Sequence, residues 1–230
     1  MSEPPSVAAV RTPRPEAERT TPKRTRNSVR TKASILAAAR DEFCELGFNG
    51  ARVDAIAARA KANKRLLYHY FGNKEALYLA VLHDAYQEIR QGERELSLSR
   101  YDPVEAMDRL VRFTFRHFLA NPWFPRLLAV ENLQNARFLK KMKDIPTLHS
   151  PLVAELQDIL KRGSATGVFR SDVDPMQLYI SIAGLGYFYV SNMKTLSVIF
   201  ERDLSQFSMI QEREAQAVQM VLDYLRTQRR

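Results

Sequence analysis

The sequence predicts an all-α protein of about nine helices. Three observations carry that expectation. Apolar residues recur at i, i+3, i+4 and i+7 in nearly every periodic segment. No run alternates β-branched and polar residues as a half-buried strand does. Only 8 Gly interrupt 230 residues, so long helices can run unbroken.

Residues 1–28 are rich in Pro, Arg, Ser and Thr and poor in apolar side chains. Such a stretch cannot bury enough surface to fold alone, so it is expected to be a disordered basic arm. It is either a solvated tail or an arm whose Arg19, Lys23, Arg24 and Arg26 meet phosphates or a narrow minor groove. A first helix is expected over 31–46, with Ile35, Leu36, Ala39 and Phe43 on one face. Gly47 suits the left-handed position after it. Cys44 is expected to be a small packing residue.

Residues 53–71 form the most informative stretch. A short helix carries Val53, Ile56, Ala57 and Ala60 on one face, and Ala57 leaves room for a crossing helix. Asn63 can cap the next helix. That helix buries Leu67 and Tyr70 and presents Lys64, Arg65, Tyr68 and His69. Spacing alone admits two readings: a helical hairpin with a solvated basic face, or a recognition helix for the DNA major groove. Gly72-Asn73 then marks a turn, with Asn73 placed to cap a fourth helix and Lys74 beside its free N–H groups.

Further along, a long fourth helix is expected over 75–98, apolar at Leu77, Ala80, Val81, Ala85 and Ile89. Pro103 suits a first helical turn, and a fifth helix runs to Ala120, where Asn121-Pro122 ends it. A sixth is expected over 123–133, and residues 135–145 are ambiguous. The seventh runs over 146–166 to Gly167, the eighth from Asp174-Pro175 to about Phe200, and the ninth over 206–227. Helix eight carries Leu178, Ile182, Leu185 and Tyr189 on one line and Ala183, Gly186 and Val190 on another. Helix nine carries Val218, Val221, Leu222 and Leu225, with Ala217 and Tyr224 beside them. Helices apolar over so wide an arc are buried on two sides, in one core or between two chains.

Charge is uneven. The chain carries +9, of which residues 1–74 hold 15 Lys and Arg against 7 Asp and Glu, and residues 75–230 hold 20 against 19. A basic N-terminal third on a near-neutral body points to a polyanion partner. The stretch 176–193 is too polar for a membrane span, and no signal-peptide core or basic amphipathic helix points to a membrane. A single cysteine fits a reducing compartment. His69, His83, His117 and His149 lack zinc spacing, and no phosphate loop appears, so neither an enzyme nor a cofactor or metal is expected.

Ile35-Leu36-x-Ala38-Ala39, Phe43, Leu46-Gly47-Phe48, Val53, Ile56-Ala57, Ala60 and the block Leu67-Tyr68-His69-Tyr70-Phe71-x-Asn73-Lys74-Glu75-x-Leu77 together resemble the DNA-binding domain of the TetR/AcrR family of bacterial regulators. The resemblance covers about residues 30–81 and implies a helix-turn-helix domain over 29–74 followed by a ligand-binding and dimerisation bundle over 75–230. By position, Lys64 and Arg65 open the recognition helix toward base edges, with Lys61 and Asn63 in the turn before it. Arg52, Tyr68, His69 and Lys74 stand where side chains meet the phosphate backbone. Two departures stand out. Ala51 replaces the usual Thr or Ser cap, and Lys61 replaces a usual turn Gly, which would cost about 1 kcal/mol at positive φ.

The resemblance also implies a small-molecule effector within helices four to eight and a homodimer through helices eight and nine. Aromatic candidates for ligand contact are Trp123, Tyr179, Tyr187 and Tyr189, with polar partners His117, Arg126, Glu131 and Asn132. The ordinary alternative is core for the aromatics and surface for Arg126 and Glu131. An inward Arg126 would favour an aromatic or heterocyclic acid, because an unpaired buried guanidinium is costly. The expected function is a cytoplasmic, nucleoid-associated, sequence-specific repressor of transcription that leaves a pseudo-palindromic double-stranded operator when the effector binds. The rivals are an activator or co-repressor-dependent regulator, and a non-specific architectural DNA-binding protein.

Overall fold

The computed structural model describes residues 22–226. Among the described residues it is built of helices: α1 (Pro22–Gly50), α2 (Val53–Arg59), α3 (Lys64–Phe71), α4 (Lys74–Glu95), α5 (Pro103–Ala120), α6 (Trp123–Leu133), α7 (Ile145–Ala165), α8 (Pro175–Ile199) and α9 (Phe207–Leu225). Single 3₁₀ turns at Leu98–Arg100 and Leu139–Lys141 join them. Most of the expected basic arm, including Arg19, lies outside the described residues, as do the side chains of Lys23, Arg24, Arg26 and His149. The helix expected from residue 31 already starts at Pro22, a residue suited to a first helical turn. Residues 22–28, expected within the arm, therefore belong to α1.

Local chemistry sets the helix ends. Gly47 kinks α1 at φ 68°. Asn63 Oδ1 accepts from Leu66 N at 2.8 Å, and Asn73 Oδ1 accepts from Ala76 N at 2.8 Å, capping α3 and α4. Asp102 and Asp174 do the same ahead of Pro103 and Pro175. Gly167 takes φ 73° just beyond α7.

Two cores meet along α4 and α5. One joins the first three helices to the front of α4 and to α6 through Ile35, Phe43, Ile56, Leu67, Tyr78, Phe124 and Phe138. The other holds α5, α7, α8 and α9 together through Met107, Leu110, Leu156, Ile159, Ile182, Val218 and Leu225. Side chains of this kind each stabilise by about 1.5–3 kcal/mol when fully buried. The stretch 135–145 is folded back onto α6. Asn135 and Ala136 sit at φ 55° and 56°, which ends the helix. The buried Glu131 carboxylate then accepts from Phe138 N at 2.7 Å and Leu139 N at 2.8 Å, and from the Tyr78 hydroxyl of α4 at 3.1 Å.

Candidate nucleic-acid interface and buried polar cluster

The two-helix unit packs its apolar face on α1 and turns its basic face outward. Ile56, Ala57, Ala60 and Leu67 are buried, while Arg52, Lys61, Asn63, Lys64, Arg65, Tyr68 and His69 are exposed. Tyr70 holds the recognition helix to α1 by a hydrogen bond between its hydroxyl and Ser28 Oγ at 3.1 Å. Ser34 Oγ donates to Ala60 O at 3.1 Å. The position expected to lack a cap is served by a carboxylate instead: Arg52 N donates to Glu42 Oε1 at 3.2 Å, and Ala51 is buried as a core residue. Lys61 takes φ 51°, so a cation does occupy the left-handed turn position between α2 and α3.

These cations are not equally available. Lys64 Nζ lies 2.8 Å from Asp54 Oδ1, and this partner holds the Lys64 ammonium above its ordinary pKa and the Asp54 carboxyl below its own. Arg59 is engaged by Glu45 and Glu42 on α1. Arg52, Lys61 and Arg65 carry no ion pair among the described residues. Lys74 is half-buried at the start of α4, over the Phe48 ring at 4.9 Å and 3.5 Å from Asn49 O, and its desolvation lowers its pKa. Lys74 thus lies beside the end of α1, next to the capped start of α4.

The second half of α4 carries an unusual group of polar side chains. Arg90 and Glu93 are each 2% exposed, and Arg90 Nη1 lies 2.8 Å from Glu93 Oε2 without the angles of a hydrogen bond. Arg90 Nη2 donates to the Tyr179 hydroxyl of α8 at 2.9 Å. His117 of α5 is 8% exposed among Phe113, Phe118 and Phe124, and its Nε2 has no partner. Burial pushes the Glu93 carboxyl up to about 7 against the pull of Arg90. Burial and then the Arg90 charge push His117 down to about 4.

Two family models match the chain. One, described as bacterial regulatory proteins of the tetR family, matches residues 35–81. The other, described as a tetracyclin repressor-like C-terminal domain, matches residues 103–221, more than half of the chain. The chain belongs to the TetR family. The HTH-type transcriptional repressor NicS of Pseudomonas putida is 38% identical over 79% of this chain and 86% of its own length. The HTH-type transcriptional regulator RutR of Escherichia coli is 31% identical over 72% of this chain and 76% of its own. Among solved structures, SCO4942 of Streptomyces coelicolor matches 85% of this chain at 25% identity and a TM-score of 0.64. A TetR family transcription regulator of Marinobacter aquaeolei shares the fold at a TM-score of 0.67 and 21% identity. The relatives bear the names of regulators, and among the described residues no group of three or more His, Cys, Asp or Glu could hold a metal ion. No described helix is long and apolar enough to cross a membrane.

As a TetR family member, the protein carries its ligand candidates in the bundle, and the structure sorts them. Tyr179 meets Arg90, the Arg90 charge reaches His117, and Tyr187 packs on Phe118. Tyr189 is instead tied down, its hydroxyl donating to Leu204 O at 2.7 Å. Glu131 is committed to the loop after α6. Trp123 faces α1, with the Arg40 guanidinium 4.3 Å from its ring and its Nε1 donating to Asn121 Oδ1 at 3.1 Å. Arg126 and Asn132 are exposed on α6, so the inward Arg126 that would favour an acid is not found. Among the described residues the buried cation of the bundle is Arg90, which is not among the candidates expected from the sequence. A signal existed: the apolar register Leu82, Ala85, Ile89 continues to Glu93, which places a carboxylate on the inward face. Cys44 packs as expected, its thiol donating to Trp123 O at 3.4 Å and pushed up to about 11 by burial.

Proposed function

We propose that the chain is a cytoplasmic, nucleoid-associated repressor, a homodimer through α8 and α9 that leaves a pseudo-palindromic operator when a small molecule enters the bundle. The observation that carries this reading is the span of one helix. The front of α4 is capped by Asn73 and packed with Phe43, Phe48 and Phe138 through Tyr78, while its rear holds Arg90 and Glu93. A ligand that shifts the rear of α4 moves the reading head with it. Half-site spacing is fixed by the duplex, so a changed separation of two heads lowers operator affinity. The name of the Pseudomonas putida relative supports repression.

Arg65 and Lys64 are assigned to base edges, Lys61 and Asn63 to the turn against the DNA, and Arg52, Tyr68, His69 and Lys74 to phosphates. Competition binding tests the assignment. The protein should prefer its operator over random DNA by about 10³-fold or more at physiological salt. Arg65→Ala should relax base preference, while Lys74→Ala should weaken all sequences alike and lower the salt slope by about one. Equal affinity for operator and random duplex would reduce the protein to an architectural DNA binder. A footprint upstream of the promoter, rather than over it, would make it an activator.

A further inference from the structure

We propose that Arg90, with Tyr179 beside it, is the anchor for the carboxylate of a small planar effector, and that Glu93 is the internal counter-ion the effector displaces. The inference rests on the ligand-responsive reading above and names the chemistry of its ligand.

The argument starts from unmet bonding. Arg90 keeps Nε and Nη1 without hydrogen bonds, Glu93 keeps both oxygens so, and His117 keeps Nε2 so, all in buried surroundings. A buried donor or acceptor left unmade costs about 1–3 kcal/mol, and more when charged. A guanidinium presents its donors in a planar fork that fits one carboxylate with two parallel bonds. Glu93 sits three residues away on the same helix and meets Arg90 at one oxygen only. An incoming carboxylate, free of that helix, can take the fork that Glu93 cannot. Flat rings have partners there as well, since Phe113, Phe118 and Phe124 surround His117, and the Tyr179 ring lies 5.5 Å from the Arg90 guanidinium. A groove of about 600 Å³ along the outer side of α5 reaches His117 and Phe113. Arg109, Arg112 and Arg116 line it, paired with Glu105, Asp108 and Glu214.

The test uses the full-length protein and a series of planar acids (benzoate, phenylacetate and indole-3-acetate), each paired with its neutral primary amide. Calorimetry and thermal shift measure binding, and operator release is read by fluorescence anisotropy. At least one acid should bind about tenfold or more tightly than its amide. Arg90→Gln should erase that preference while circular dichroism shows a folded protein. Glu93→Gln should tighten acid binding, because it removes the competitor for Arg90; loss of a merely structural ion pair would not do so. If Arg90→Gln leaves Glu93 stranded and fails to fold, the double variant Arg90→Gln/Glu93→Gln carries the same comparison. No binding by any acid, or amides that bind as well as acids, overturns the anchor. Amides that bind and release the operator would sink the anchor and leave the ligand-responsive reading standing. An acid held by Arg90 that never alters operator binding would do the reverse.

Discussion

Single residues in this protein carry opposed demands. Lys61 spends about 1 kcal/mol on a left-handed backbone and in return places a cation at the turn before the recognition helix. Lys61→Gly should therefore raise the melting temperature by about 2–4 °C and weaken DNA binding with a salt slope lower by about one; a variant that is stabilised with unchanged salt slope would remove Lys61 from the interface. Glu93 and His117 oppose each other in a different way. The folded pKa of Glu93, about 7, lies above the ordinary 4.5, so its contribution is present below pH 4.5 and lost as pH rises through 7. The folded pKa of His117, about 4, lies below the ordinary 6.5, so its contribution is present above pH 6.5 and lost as pH falls toward 4. Over the shared window the two slopes cancel. Glu93→Gln should unmask His117, and urea melts should show stability relative to the parent rising by about 1.4 kcal/mol per pH unit between pH 4.5 and 6.5. A difference independent of pH would mean that Glu93 is ionised throughout. Legibility at this scale follows locality. The caps at Asn63 and Asn73 depend on neighbours within three residues, and the sequence shows them, while the strain at Lys61 is announced only by the family resemblance. The outward Arg126 and the inward Arg90 depend on which side of a helix meets which other helix, and a helix that is apolar over a wide arc does not declare that.

Elements repeat the pattern. The helices α5 and α6 begin and end where Pro103, Asn121-Pro122 and the apolar period place them. The first helix extends nine residues before the expected residue 31, because 22–30 carry few apolar residues whose period could announce it. The loop after α6 was ambiguous because its order comes from Glu131, a side chain on a helix already ended. The small residues of α8 were legible as sites of close approach, but the sequence could not say which faced inward. Gly186 faces α5: a Cβ there would stand 3.0 Å from Phe118 Cδ2 and 3.3 Å from Phe115 Cα. The nearer neighbour is a ring that can tilt, but the other is backbone. Gly186→Ala should destabilise by about 1–3 kcal/mol in urea melts through forced repacking of α5 against α8. An unchanged midpoint would show that α8 slides without cost.

At the scale of the whole molecule, the apolar stripes of α8 and α9, which the sequence places in one core or between two chains, are inner faces. Leu178, Ile182 and Tyr189 of α8 and Val218, Val221 and Leu225 of α9 close the chain's own core. What remains outside is a second apolar surface: Met176, Ile180 and Phe188 on α8, Met220 and Tyr224 on α9, each about half exposed. Gly184 lies between Ile180 and Phe188 on the same ridge, and a Cβ there would touch nothing within 4 Å. A groove of about 470 Å³ between the two helices adjoins it. Apolar surface gathered in one patch on two neighbouring helices is what a self-complementary two-fold contact requires, and a glycine on its ridge lets a second helix approach closely. Gly184→Arg discriminates this face from others, because the open space around it spares the monomer fold. Light scattering should show a dimer for the parent and a monomer for the variant, with circular dichroism alike. Operator affinity should then fall by about 10²-fold or more, since each head must bind its half-site without help from the other. A Gly184→Arg protein that stays dimeric and keeps its operator would move the two-fold axis off α8 and α9, and with it the geometry by which α4 sets the distance between the heads.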